Sequence, residues 1–420
     1  MISQIKNNKI VWLIILLTLA AAIIRFSALT TPTEIAGDEI YFVNFSRDYF
    51  DNQLYFDVHP PLGKLLIALG IGAFGDTPFS WRFFSAVFGT LLIPLFYWFG
   101  WIVFRRKLVG LFLALLVFFD GLFFVISRVG VMDAGMMFFL FLGYGLLFLA
   151  TSRENLQPKY FLAAGLCLGL AISIKWLALV FLPIAILLFV LPEIYGWHQI
   201  KLPSLGRRLL YVLGYVILPA AGVYLLSWFI HFLIIGVGPS QMIRYFWIFN
   251  IKIFNYHTHI TDVSPLMSPW WTWPWLWQPW EYFNSVSPSA TRVISAVGTP
   301  LIWWSALLAF VPVVKKLFKQ IKELLLVVIM LLVHWLPFAL VNRPMFSYHF
   351  LISLPLFLLP LALLLTKLWQ KNRLWRIVVI SFLLLVAINF ILFWPIWNAV
   401  PLSEDALQIR TWLPDWHRGP

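Results

Sequence analysis

Long apolar runs broken by short polar turns make up most of this chain. Taking about 20 residues as the length that crosses a bilayer in helical form, the pattern predicts eleven spans: 10–30, 82–104, 108–127, 131–150, 160–174, 177–195, 208–235, 296–314, 323–341, 348–366 and 375–394. The two that flank Lys175 are short, with Ser173, Lys175 and Trp176 at the bend between them. Three stretches depart from the pattern. Residues 31–81 mix polar and apolar positions and predict short helices lying on the membrane, among them Leu62 to Phe74, which is too short to span. Residues 236–295 form a long loop whose centre, Pro269 to Phe283, sets six tryptophans among three prolines. Proline at that density breaks a helix and tryptophan favours the headgroup zone, so this loop is expected at the outer interface. Residues 395–420 read as an external tail. The expected fold is an all-α polytopic membrane protein, a single domain over 1–420.

Composition agrees with this reading. The chain is 62% hydrophobic and 11% charged, where a soluble domain carries about 25% charged residues. A net charge of +13 would suit a nucleic-acid surface, but its distribution excludes one. Of 30 Lys and Arg residues, 18 fall on one side of the predicted spans with only three acids, Glu154, Glu193 and Glu323. Cytoplasmic loops collect Lys and Arg, so that side is the cytoplasm, with the N-terminus inside and the C-terminus outside. The first apolar run follows Lys6 and Lys9 without a small-residue cleavage site and is expected as a retained span. The single cysteine, Cys167, excludes an intrachain disulfide framework and reads as a small buried apolar residue.

The external face holds the candidate chemistry. Asp38, Glu39, Asp48, Asp51 and Asp57 lie in the first loop with Glu34 just ahead, and His59 and Lys64 follow around Pro60-Pro61. Charged residues beside a bilayer are costly and mark functional sites. The same face collects Arg82, the Arg128/Asp133 turn, Lys175, the Arg343/Tyr348/His349 tip, and Asn255, His257 and His259. Cations for a phosphate, a carboxylate for an incoming hydroxyl and aromatic faces suit a phosphorylated, sugar-bearing lipid. Arg128 and Asp133 are close enough in sequence for a salt bridge across their turn, and Arg82 can pair with an acid of the first loop. Asp48 and Asp51 read as solvated helix faces.

Seven motifs in order resemble the protein O-mannosyltransferases of the glycosyltransferase C superfamily. They are Asp38-Glu39, the nine-residue FDVHPPLGK from Phe56 to Lys64, and Arg82 with Ser85, Ala86, Phe88 and Gly89. SRVGVMD (127–133), GLAISIKW (169–176), PWWTWP (269–274) and GTPLIWW with the RPMFSYHF tip complete the series. The resemblance covers nearly the whole chain. It implies inverting transfer of mannose from a polyprenyl- or dolichyl-phosphate donor to Ser/Thr hydroxyls of acceptor polypeptides, at the outer face of a prokaryotic plasma membrane. It further implies Asp38 as base with Glu39 as its partner, and His59, Lys64, Arg82, Arg128, Lys175, Arg343, Tyr348 and His349 as the group from which the donor contacts are drawn. His257, Trp271 and Trp273 are expected at the acceptor or interfacial loop. No metal or other cofactor is expected, since there is no Asp-x-Asp motif or tight His/Asp spacing, and the partners are the donor, the acceptor, the bilayer and a second copy in a dimer. The β-trefoil domain of eukaryotic members is absent from the external loop, which marks a compact form. The alternatives are a transferase with a lipid or glycan acceptor, as in lipid A aminoarabinose transferases, and a transporter, which predicts midplane charges and inverted repeats that the chain does not show.

Overall fold

The computed structural model describes residues 9–151, 157–190, 205–260, 266–317, 322–341 and 344–417. It is a helical membrane architecture. Seven helices are long and apolar enough to cross a bilayer: Lys9–Phe26, Pro78–Phe104, Asp133–Ala150, Gly206–Ile234, Glu323–Leu340, Leu354–Lys371 and Arg373–Trp397. Lys107–Phe118, Pro158–Ile174, Trp176–Leu187 and Pro300–Val313 are shorter apolar helices at the other expected spans. Proline begins several helices at a position where its missing N–H costs nothing, as at Pro78, Pro158 and Pro239. Thr77 and Ser80 add a reciprocal capping box to the first of these.

The run expected as one span over 108–127 is instead two helices, Lys107–Phe118 and Gly121–Ile126. Asp120 causes the break. Its carboxylate accepts from the Phe123 amide (3.0 Å), the Trp303 indole (2.6 Å) and the Thr299 amide (3.3 Å), fixing the chain out of helical register and tying it to the helix that begins at Pro300. Gly110 allows the neighbouring turn to pack closely, since a Cβ there would lie 2.1 Å from the Tyr97 carbonyl. Such small-residue contacts replace the hydrophobic drive that lipid cannot supply.

The loop over 31–81, expected on the outer face, folds as helices Glu39–Arg47 and Leu62–Phe74, which pack on each other and on Pro78–Phe104. The long loop is more structured than expected. It contains a 21-residue helix, Pro239–His259, a 3-10 turn, Trp270–Trp275, and an antiparallel hairpin of β1 (Glu281–Val286) and β2 (Thr291–Ser295). The expected tail is bound rather than loose. Leu402 pairs with Thr291, the Trp277 indole donates to Asp415 (2.9 Å), and His417 meets Glu281 (2.9 Å). The hydrogen bond to Glu281 raises the His417 pKa above its ordinary value, against the opposing effect of burial.

Candidate active site

The site is built where the loop over 31–81 meets the hairpin, the 127–133 turn and the Lys175 bend. Its foundation is Glu39. This carboxylate is fully buried and accepts four hydrogen bonds, from Arg82 Nε (2.7 Å) and Nη2 (2.9 Å) and from the Ala36 and Gly130 amides (2.8 Å each). Arg82 spends its remaining donors on the carbonyls of Leu29, Pro32 and Glu34. Arg82 pairs with an acid of the first loop, one of its two expected readings, and the substrate contacts expected as the alternative for Arg82 and Glu39 are corrected. Glu39 has no lone pair left for a substrate and Arg82 no donor left for a phosphate, so the pair acts as a buried clamp on the loop. Arg128 is likewise corrected. It does not bridge Asp133 but donates to the carbonyls of Ile24, Arg25, Ser27 and Ala28, closing the end of the first helix.

Asp38, one residue earlier, faces the opposite way. It sits at the N-cap of helix Glu39–Arg47, yet its side chain makes no capping bond. Its carboxylate reaches the Tyr348 phenol instead, within electrostatic range of Lys175 and Asp133. Burial pushes the Asp38 pKa above the ordinary value; Lys175 lowers it, Asp133 raises it, and the Tyr348 hydrogen bond lowers it. A carboxylate made more basic in this way suits proton abstraction.

Lys175 leaves the helix at a residue in extended conformation, because the chain switches there from α-helix to a 3-10 turn. Its ammonium donates to Asp133 at 2.7 Å and lies 5.3 Å from the Phe42 ring. An ammonium carries three donors, so this pairing leaves capacity for an anion. The same Phe42 ring lies 6.0 Å from the Lys64 ammonium. Lys64 is buried, ion-paired to Asp57 and donating to the His59 carbonyl at 2.7 Å. The His59 ring stacks on Phe42 (5.7 Å) and lies 5.8 Å from His257, whose Nε2 meets the Val58 carbonyl at 3.0 Å. His59, Lys64 and Lys175 thus gather around one aromatic ring, with His257 beside His59. Next to Lys175, Trp176 opens an apolar cleft of about 260 Å³ lined by Ile172, Leu179, Phe181, Ala220 and Tyr224.

Tyr348 and His349 stack at 4.5 Å, and His349 stacks on Trp273 at 6.1 Å. Trp273 is therefore not an interfacial anchor. It is 1% exposed and donates to Ser268, supporting His349 from below, whereas Trp271 is exposed. Asn255 and His259 lie on the exposed surface of their helix. Arg343 lies outside the described residues. Among the described residues no three His, Cys, Asp or Glu side chains converge as a metal site would need. Sequence reasoning missed Phe42, Tyr282 and the Asp133–Lys175 pair, none of which a linear spacing marks.

Two family models together match nearly all of the chain. Residues 15–237 match dolichyl-phosphate-mannose-protein mannosyltransferase, and residues 242–416 match the C-terminal four-transmembrane region of protein-O-mannosyltransferase. The polyprenol-phosphate-mannose–protein mannosyltransferase of Mycobacterium tuberculosis is 27% identical, over 96% of this chain and 91% of its own length. The fold is similar to that in the Saccharomyces cerevisiae protein O-mannosyltransferase complex bound to the sugar donor, with a TM-score of 0.84 at 16% identity over 98% of this chain and 93% of that one. Similarity to ArnT from Cupriavidus metallidurans bound to undecaprenyl phosphate is weaker: a TM-score of 0.57 at 14% identity over 90% of this chain and 70% of that one.

Proposed function

The chain belongs to the dolichyl-phosphate-mannose–protein mannosyltransferase family and is a membrane-embedded glycosyltransferase, and we propose that Asp38 is the base with which it moves mannose from polyprenyl-phosphate mannose to protein hydroxyls. One observation carries this assignment. Of the four buried or half-buried carboxylates around the site, Glu39 is taken by Arg82, Asp57 by Lys64 and Asp133 by Lys175, while among the described residues Asp38 has a phenol as its hydrogen-bond partner and no salt bridge.

The steps follow from where these groups stand. The donor phosphate docks at Lys175, which offers an ammonium already partly desolvated and held by Asp133, and the polyprenyl chain runs into the apolar cleft that begins at Trp176. Lys64 and His59 brace the Phe42 ring that forms the wall behind the phosphate. A Ser or Thr hydroxyl enters beside Asp38 and attacks the anomeric carbon from the face opposite the phosphate. Its proton passes to Asp38 as the new C–O bond forms, the C–O bond to phosphate breaks, and polyprenyl phosphate departs carrying the electron pair. Configuration inverts. Lys175 stabilises the charge that grows on the leaving phosphate, so the reaction is proposed to need no metal. The acceptors are Ser/Thr-bearing polypeptides. The sidedness of the basic residues supports a site and C-terminus outside the plasma membrane with the N-terminus in the cytoplasm. A dimer is a further proposal carried by the family resemblance.

The test is transfer of labelled mannose by purified protein, from polyprenyl-phosphate mannose to a Ser/Thr peptide and, in parallel, to a lipid acceptor. Transfer to the peptide supports the reading. Transfer to lipid alone would replace it with the lipid-acceptor alternative.

A further inference from the structure

Buried polar groups in folded proteins almost always find a partner, and two do not in the wall made by Tyr282, which lies within electrostatic range of Asp38, and its neighbour Trp280. The Tyr282 hydroxyl and the Trp280 indole N–H are buried without a hydrogen-bond partner among the described residues. Tyr282 is only 2% exposed. A phenol or indole normally uses its polar tip when buried, so two unsatisfied tips in one wall point to a ligand that brings its own hydroxyls.

The wall is held firmly. Gly37 takes φ +50°, and a Cβ there would lie 3.0 Å from the Tyr282 carbonyl oxygen and 3.2 Å from its ring. The residue before Asp38 therefore lacks a side chain where the Tyr282 ring must pass. The phenol lies within electrostatic range of Asp133, Tyr348, Asp38 and Glu39. Its ring is 6.2 Å from Tyr348 and 6.3 Å from Trp280, and Trp280 packs 4.4 Å from Phe346. Backbone bonds fix the hairpin: Ala296 N donates to the Trp280 carbonyl at 2.7 Å, and the Trp280 amide donates to Ser347 Oγ at 3.1 Å. From the first loop, Glu34 accepts from Arg292 at 2.9 Å.

We propose that the Tyr282 hydroxyl, with the Trp280 indole N–H, hydrogen-bonds the hydroxyls of the transferred sugar. The inference rests on the reading that Lys175 holds the donor phosphate and Asp38 meets the acceptor. The sugar then lies between them, against the wall that Tyr282 and Trp280 form. The apolar polyprenol tail has no use for these two groups, and the phosphate is met by the Lys175 ammonium. Aromatic faces with a few placed polar groups are how concave sites fix the orientation of a small ligand.

The test compares wild type with Tyr282→Phe, which removes one oxygen, and Trp280→Phe. Binding of polyprenyl-phosphate mannose and of sugar-free polyprenyl phosphate is measured on the same preparations, with steady-state kinetics in both substrates. Loss of one neutral hydrogen bond predicts roughly tenfold weaker binding or kcat/KM for the sugar-bearing donor. Affinity for polyprenyl phosphate and KM for the peptide stay at wild-type values. A donor analogue lacking the sugar hydroxyl that Tyr282 contacts loses affinity for wild type and no further affinity for Tyr282→Phe. The proposal is overturned if donor binding is unchanged, if polyprenyl phosphate binding falls equally, which marks a structural role, or if only the peptide KM rises. Should wild type bind the donor and transfer nothing, the proposed reaction fails, while the binding comparison still decides the role of Tyr282.

Discussion

Replacing Glu39 by Ala separates a structural carboxylate from a chemical one. Glu39 is fully buried, accepts four hydrogen bonds and neutralises Arg82, which is itself 1% exposed. Removing one member of such a pair leaves a charge in the interior, and cases of this kind cost about 3–5 kcal/mol. Three backbone carbonyls still accept from Arg82 after the change, which places this site toward the lower end. Tethering is lost as well, because the same carboxylate joins the Ala36 and Gly130 amides, one from each segment that frames Asp38. The expected result in detergent is an apparent Tm lowered by roughly 5–10 °C, with activity lost in step. The Glu39→Ala/Arg82→Met double variant should recover part of that loss, since it removes the stranded charge; a fluorescence-monitored melt reads all four corners of the cycle. Asp38→Asn, at a half-buried residue hydrogen-bonded to a phenol and with no salt bridge among the described residues, should melt close to wild type. A Glu39→Ala protein as stable as wild type and yet inactive would refute this reasoning and return Glu39 to the chemistry.

Lys175→Gln should weaken donor binding by roughly 10–100-fold, the scale of one charge-assisted hydrogen bond; unchanged donor affinity would reject Lys175 as the phosphate ligand. The same variant carries a pH signature. Asp38 acts when deprotonated, so kcat/KM falls as pH drops through its raised pKa, and Lys175 holds that pKa down. Its loss should move the acid limb to higher pH, and a move to lower pH would contradict the electrostatics. Gly37→Ala strains a residue at φ +50° and presses on Tyr282. The left-handed conformation alone costs about 1–2 kcal/mol for a residue with a side chain, so a stability loss of that order with reduced transfer is expected in melts and assays, and a neutral substitution would show that β1 yields freely. Transfer should continue in excess chelator; loss that manganese or magnesium restores would require a metal in the mechanism.

The spans and the family were legible in the sequence because both rest on contiguous runs, namely apolar length, the asymmetry of Lys and Arg, and motifs such as FDVHPPLGK. Residue roles were less so, because they depend on direction. Asp38 and Glu39 are neighbours, yet a helix start turns successive side chains about 100° apart, and one faces Tyr348 while the other enters the interior. Arg128 and Asp133 are close in sequence and look paired, but Asp133 finds Lys175 from 42 positions away, and Arg128 finds backbone carbonyls, which no residue type announces. Asp120 sits inside an apolar run, where its break in the helix has no hydropathy signal. Tyr282 and Trp273 were hidden by company: among so many interfacial-looking aromatics, only packing shows which turn inward.

The central claim is that Asp38 removes the acceptor proton, and single-turnover transfer from polyprenyl-phosphate mannose to a Ser/Thr peptide tests it most directly. Asp38→Asn keeps the shape of the side chain and abolishes its basicity. The account predicts loss of transfer by roughly 10²–10⁴-fold, the range of a general base, with wild-type donor affinity and melting temperature. Transfer at the wild-type rate by Asp38→Asn would contradict it.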